Sequence, residues 1–157
     1  MDFDKLIGLA DALNREGVEY ILFGGAAVNL HGITRTTEDF DFFVAPDPEN
    51  VRRIKRVLRS MWDDPNLDEI QDDDMIGAFP SFSYAPPGET FGLDFVSRLG
   101  EAFAYTDLEF ETHEVEGVDI RLATPLTLYR MKRDTVRPQD RRDAELLQRK
   151  FNLPETS

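Results

Sequence analysis

The sequence predicts a mixed α/β (α+β) domain, with a sheet of about five strands flanked by helices. Three observations lead there. Amphipathic stretches of helical period alternate with apolar runs too short to be helices. A strand–Gly-Gly–helix–strand unit leads the chain. Composition supplies a core: of 157 residues, 41% are apolar and twelve are Phe, which argues against disorder. The length fits one domain spanning residues 1–157.

The elements follow in order. Phe3, Leu6, Ile7, Ala10 and Leu13 recur at helical spacing, and Gly17 stops that helix. Tyr20-Ile21-Leu22-Phe23 reads as a buried strand ended by Gly24-Gly25. Ala26–His31 favours a short helix closed by Gly32. Asp39–Val44 alternates and is rich in aromatics, so it reads as a strand. Asp47-Pro48 is a helix start, an acid at the N-cap before Pro; Val51, Ile54, Val57, Leu58 and Met61 are its apolar face. Phe79–Tyr84 and Phe91–Val96 are further strands around a Pro86-Pro87-Gly88 turn. Leu108–Val115 and Val118–Leu122 form a hairpin about Glu116-Gly117. Thr124-Pro125 opens a helix to about Arg133, and Arg137-Pro138 interrupts. A last helix covers about Gln139–Lys150, with Ala144, Leu147 and Phe151 inward.

Charge and composition exclude several functions. The net charge of −13 argues against broad, charge-driven nucleic-acid binding. Without cysteine there is no disulfide framework, thiolate zinc site or Cys nucleophile. No apolar stretch is long enough to span a bilayer, and the acidic, amphipathic N-terminus does not read as a signal peptide, so a cytoplasmic protein with no membrane partner is expected. Bases cluster at Arg52–Arg59 and Arg121–Lys150. The acidic stretch Asp63–Asp74 reads as a solvated loop in preference to a metal site.

The chemistry lies in the carboxylates. Asp39 and Asp41 stand two apart in one strand, so both point to one face, roughly 6–7 Å apart at the backbone. Like charges so placed repel, and a cation relieves them; Mg²⁺ takes a few carboxylates plus phosphate oxygens. Asp94 sits between Leu93 and Phe95, an apolar setting in which an acid needs a partner or a metal. Adjacent strands would bring it to the pair, the apparatus of two-metal phosphoryl transfer. Gly24-Gly25, about fifteen residues before Asp39, leaves backbone N–H groups at a helix start, which suit a phosphate.

Gly24-Gly25-Ala26-Ala27, His31-Gly32 and Arg35-Thr36-Thr37-Glu38-Asp39-Phe40-Asp41 together resemble the signature of the DNA polymerase β nucleotidyltransferase superfamily. The wording is similar to the minimal nucleotidyltransferase group that includes the AbiEii toxins. Leu122-Ala123-Thr124-Pro125, Tyr129-Arg130-Met131-Lys132 and Arg137-Pro138-Gln139-Asp140 with Asp143 resemble that group's later motifs. The resemblance runs from about Gly24 to Leu147. It implies a polymerase β-like nucleotidyltransferase fold and Mg²⁺- or Mn²⁺-dependent transfer of a nucleoside monophosphate from an NTP to an acceptor hydroxyl. Asp39, Asp41 and Asp94 would be catalytic and metal-binding; Gly24, Gly25, Arg35 and Lys132 would bind the nucleotide phosphates. The acceptor stays open between tRNA, a protein and a small aminoglycoside-like molecule, as does a toxin–antitoxin role with a cognate partner. The alternative is a non-catalytic binding module of the same fold.

The supporting residues have plainer readings beside these. Lys132 reads equally as a triphosphate contact or a snorkelling lysine. Arg35 can fork onto a phosphate or pair with Glu38. Arg137 and Asp140 are read first as a pair fixing the last helix. His31 reads as a cap or packing residue, and His113 has no evident partner. Met61 and Trp62 are expected to pack at a helix end.

Overall fold

The structure is a computed structural model that describes residues 3–78 and 80–154. Helix α1 (Phe3–Glu16) buries the stripe Leu6, Leu9, Ala10 and Leu13, and Gly17 ends it at a φ of 75°. Strand β1 (Tyr20–Phe23) runs directly into α2 (Gly24–Leu30), whose first turn holds both glycines instead of following them. Strand β2 (Asp39–Val44) leads to α3 (Pro48–Met61). Asp47 stands at the N-cap of α3, but its carboxylate makes no capping bond. Buried Asn50 secures this corner instead. It accepts from Glu19 N (2.8 Å) and donates to the carbonyls of Glu19 (3.1 Å) and Ala45 (3.0 Å).

The acidic loop holds a 3-10 turn at Pro65–Glu69 and is tethered to α3. Arg52 pairs with Asp72 at 2.9 Å, Arg59 pairs with Asp68, and Tyr84 Oη donates to Asp64 (2.9 Å). Its surface reading holds, and α3 arginines pair with two of its acids. Strands β3 (Ser81–Tyr84) and β4 (Gly92–Val96) follow; Phe79, expected at the start of β3, lies outside the described residues. A small hairpin, β5 (Arg98–Leu99) with β6 (Phe103–Ala104), has no counterpart in the sequence reading. The expected hairpin is β7 (Phe110–Val115) and β8 (Val118–Ala123). Helices α4 (Pro125–Lys132), capped by Thr124, and α5 (Pro138–Phe151) complete the chain.

Six strands of the described residues, each expected from the sequence, form the main sheet in the order β3-β4-β2-β1-β8-β7. It is mixed: β1–β8 and β2–β4 are parallel, the other neighbours antiparallel. Helices α1 and α3 pack on each other, and α4 packs on α5. Alternation along β2 sends Phe40 and Phe42 into the core. Phe42 stacks on Phe95 (5.4 Å) and meets Tyr20 edge-on (5.8 Å), while Phe40 lies 4.9 Å from Phe91. Trp62 packs against Tyr84 and Phe91 at the end of α3, as expected. Phe151 is a correction: it is 36% exposed, because it lies at the last turn of α5, beyond the buried stripe of Ala144 and Leu147. No helix among the described residues is long and apolar enough to cross a membrane.

Because Phe42 is buried between two rings of different strands, Phe42→Ala leaves a cavity that neither ring can fill. It is expected to cost about 3–5 kcal/mol, read as a lower urea midpoint at unchanged slope.

Candidate active site

The alternation that buries Phe40 and Phe42 puts Asp39 and Asp41 on the opposite face of β2. The parallel register of β2 and β4 sets Asp41 directly beside Asp94. All three acids line one cleft of about 590 Å³, whose other walls include Gly24, Gly25, Arg35 and Lys132. Asp39 Oδ1 accepts from Gly92 N at 3.2 Å, and Asp94 Oδ1 accepts from Ser83 Oγ at 2.5 Å. Asp41 is the strained member. Burial, then the charge of Asp94 and hydrogen bonding with it, then Asp39, push its carboxyl up to about 7, with Lys132 acting the other way.

The glycines are explained by close approach. Gly24 has a φ of 70°, and a Cβ there would stand 2.0 Å from Asp41 Oδ2. A Cβ on Gly25 would meet Thr37 Oγ1 at 2.8 Å and the Arg35 guanidinium at 2.9 Å. Gly92 makes room for Asp39 in the same way, its Cβ falling 2.6 Å from Asp39 Oδ1. Three glycines therefore leave space beside four side chains of the cleft. Gly92 escaped the sequence reading because a lone glycine at a strand start carries no signal of its own.

The basic wall is built around a residue that the sequence reading left in a supporting motif. Asp143, on α5, is fully buried. Its Oδ2 accepts from Arg35 Nη1 (2.5 Å) and Lys132 Nζ (2.9 Å), and its Oδ1 accepts from Gln139 Nε2 (2.9 Å). Lys132 is itself only 7% exposed and also donates to Asp140 Oδ1 (3.2 Å), whose Oδ2 accepts from Thr135 Oγ1 (2.9 Å). Lys132 is thus not a snorkelling surface lysine. Arg35 pairs with Asp143 and not with Glu38, because α5 crosses the loop before β2. Arg137 is exposed and lies 4.0 Å from Asp140, the pairing the sequence suggested. His31 is buried and bonded to Ala123 O through Nε2 (2.8 Å), a packing role. His113 does have a partner: its Nε2 lies 2.8 Å from Glu111 Oε1, a contact made by i, i+2 neighbours on one face of β7.

Chemically, the cleft opposes two kinds of group. Three carboxylates line one side, and a divalent cation there would offset the burial and the neighbouring charge of Asp94 that raise Asp41. These hard oxygen donors fit Mg²⁺ or Mn²⁺. Across from them two cations, Arg35 and Lys132, are held in place by acids behind them.

No family model matches the chain, and no curated protein matches it. Solved structures do. ANT(2'')-Ia in complex with adenylyl-2''-tobramycin aligns over 94% of this chain and 88% of its own, at a TM-score of 0.56 and 13% identity. A Thermotoga maritima protein described as a nucleotidyltransferase aligns over 96% and 92%, at 0.57 and 15% identity. An antigenic nucleotidyltransferase-like protein from Paracoccidioides brasiliensis aligns over 90% and 72%, at 0.53 and 18% identity. The chain has the fold of these nucleotidyltransferase structures, a mixed sheet flanked by helices.

Two measurements test the ionic arrangement. In its raised state, Asp41 keeps a proton in the folded chain that the unfolded chain gives up near pH 3.8. Its contribution to stability is therefore lost as pH rises through about 7. In metal-free buffer, Asp41→Asn should raise Tm, and the gain should be larger at pH 8 than at pH 5; an equal gain at both would contradict the assignment. Asp143→Ala leaves Arg35 and Lys132 without their shared anion, and should lower unfolding stability by about 3–5 kcal/mol in a urea titration.

Proposed function

We propose that this chain is a divalent-metal-dependent nucleotidyltransferase, moving a nucleoside monophosphate from an NTP to an acceptor hydroxyl. The observation that carries the reading is the in-register placement of Asp41 and Asp94 on adjacent parallel strands, with Asp39 two residues along the same face. The fold shared with nucleotidyltransferase structures supports it.

In this reading the acceptor oxygen attacks the α-phosphorus. A new P–O bond forms, the α–β bridging bond breaks, and pyrophosphate leaves with its electron pair. Mg²⁺ or Mn²⁺, held by Asp39, Asp41 and Asp94, would supply charge neutralisation on the triphosphate and acidify a bound hydroxyl. Asp94 receives the hydroxyl proton, directly or through water, and Ser83 orients its carboxylate. Arg35 and Lys132 offset the negative charge of the triphosphate, and their anchoring by Asp143 removes the cost of reorganising them during reaction. Gly24 and Gly25 keep the wall beside Asp41 free of side chains, so that phosphate oxygens approach the backbone.

The acceptor most consistent with a net charge of −13 is a cationic small molecule or a basic protein segment. The adenylyl-2''-tobramycin complex of one fold relative is consistent with the first. A tRNA acceptor and a toxin–antitoxin role rest on the sequence resemblance to the AbiEii group, and so does the cytoplasmic location.

Label transfer tests the reading. Purified protein, Mg²⁺ and each α-phosphate-labelled NTP are incubated with cell extract or with an aminoglycoside. A labelled product is expected, reduced at least ~100-fold by Asp39→Ala/Asp41→Ala and by Asp94→Asn. Its sensitivity to RNase, to protease or to neither identifies the acceptor class. No transfer from any NTP by a folded protein that still binds Mg²⁺-NTP would favour the binding-module alternative.

A further inference from the structure

We propose that His31, Glu111 and His113 form a zinc site, separate in place and in chemistry from the carboxylate cleft. His31 closes the C-terminus of α2, whereas Gly24, beside Asp41, opens its N-terminus. Glu111 and His113 stand two apart on β7, an edge strand, and so share a face. Glu111 pairs in register with Leu122, next to Ala123, whose carbonyl holds His31. Two segments some eighty residues apart in sequence, the end of α2 and the β7–β8 hairpin, thus converge. One donor atom from each residue lies within 4.8 Å of the other two, and no other group of three His or acidic residues among the described residues meets that spacing.

The hydrogen bonding makes this a ligand set and not merely a cluster. A carbonyl oxygen only accepts, so His31 Nε2, 2.8 Å from Ala123 O, carries the proton. Neutral His31 therefore presents a bare lone pair on Nδ1. That nitrogen faces Glu111 Oε1 at 3.6 Å, two electron-rich atoms with no proton between them. The same oxygen lies 2.8 Å from His113 Nε2, and the two imidazole rings meet edge-to-face at 5.1 Å. A metal ion satisfies the opposed lone pairs. Zn²⁺ binds His nitrogen and carboxylate oxygen at about 2.0–2.2 Å in tetrahedral geometry, which requires donor separations of roughly 3.3–3.5 Å. Small rotations of the two accessible side chains, Glu111 and His113, reach that range.

His31 is the preorganised member. Its side chain is 2% exposed and is flanked by Phe151, with ring centroids 5.8 Å apart. A ligating histidine whose second nitrogen donates to a backbone carbonyl is the arrangement that fixes ring orientation and tautomer in metal sites. Two imidazoles and a carboxylate leave a fourth position for water. Nitrogen donors select zinc over magnesium, so the all-oxygen cleft and this site divide the two ions between them. Lys150, whose ammonium donates to Gly32 O (3.3 Å), opposes a cation here and limits affinity. The bound ion would staple the C-terminal end of α2 to β7.

The test uses the full chain carrying Asp39→Ala/Asp41→Ala, so that metal taken up by the carboxylate cleft is not counted. Isothermal titration with Zn²⁺ should show one ion per chain, with a Tm that rises as Zn²⁺ is added. Co²⁺ should give the visible absorption of a four-coordinate ion with nitrogen ligands. His113→Ala and Glu111→Gln, at accessible positions, should each weaken binding at least ~10-fold. A folded protein that takes up no Zn²⁺ at millimolar concentration, or binds it equally well after both substitutions, overturns the site. Because Asp39 and Asp41 are replaced throughout, neither result depends on whether the chain transfers nucleotides.

Discussion

The burial of Asp41 beside Asp94, with Asp39 on the same face of β2, is the constraint on which the cleft depends. A parallel pair of strands sets Asp41 and Asp94 side by side, with Asp41 largely out of water and only partly offset by the charge of Lys132. Left to itself this arrangement is unfavourable, as the raised carboxyl of Asp41 records. The opposite face of the same strand stabilises it. Phe40 and Phe42 are locked among Tyr20, Phe91 and Phe95, so β2 cannot slip by one residue without burying the acids and exposing the rings. The core holds the carboxylates in a geometry that they would not choose, which is how functional strain is ordinarily kept.

The opposing charge is handled differently. Arg35 and Lys132 come from a loop and a helix that have no contact in sequence, and Asp143 gathers both from a third element. A fully buried carboxylate with two cations and an amide around it is satisfied at each oxygen, so it is tolerated at zero exposure. The result is a pair of immobilised cations facing a set of crowded anions across one cleft. Under the proposed function, a polyphosphate carrying a divalent ion would complement both sides. Part of the strongly acidic remainder of the surface is paired locally, as where α3 arginines hold the acidic loop.

Much of this was legible in the residues. The two-residue alternation of β2 announced the strand, its buried face and the shared face of Asp39 and Asp41. The helical stripe of α1, the Pro-marked starts of α3 and α4 and the β7–β8 hairpin were legible for the same reason: each is a local period or a local turn. The misses share the opposite property. Gly92 matters only because Asp39 leans over it. Asp143 matters only because a loop more than a hundred residues away delivers Arg35 to it. His113 is the exception: its partner Glu111 is two residues away on β7, and only its ring contact with His31 is non-local.

By itself, then, the sequence determined the element order, the periods that choose a buried face and the carboxylate types whose chemistry calls for a cation. These depend on neighbours within a few positions, and the backbone geometry that relates them is the same in every protein. Only the tertiary structure decided that β2 and β4 run parallel with Asp41 beside Asp94, that Gly24 yields its space to Asp41, and that Asp143 joins the two cations. Those facts turn on strand register and on helix placement, which are set by the packing of the whole core and leave no periodic trace in the chain.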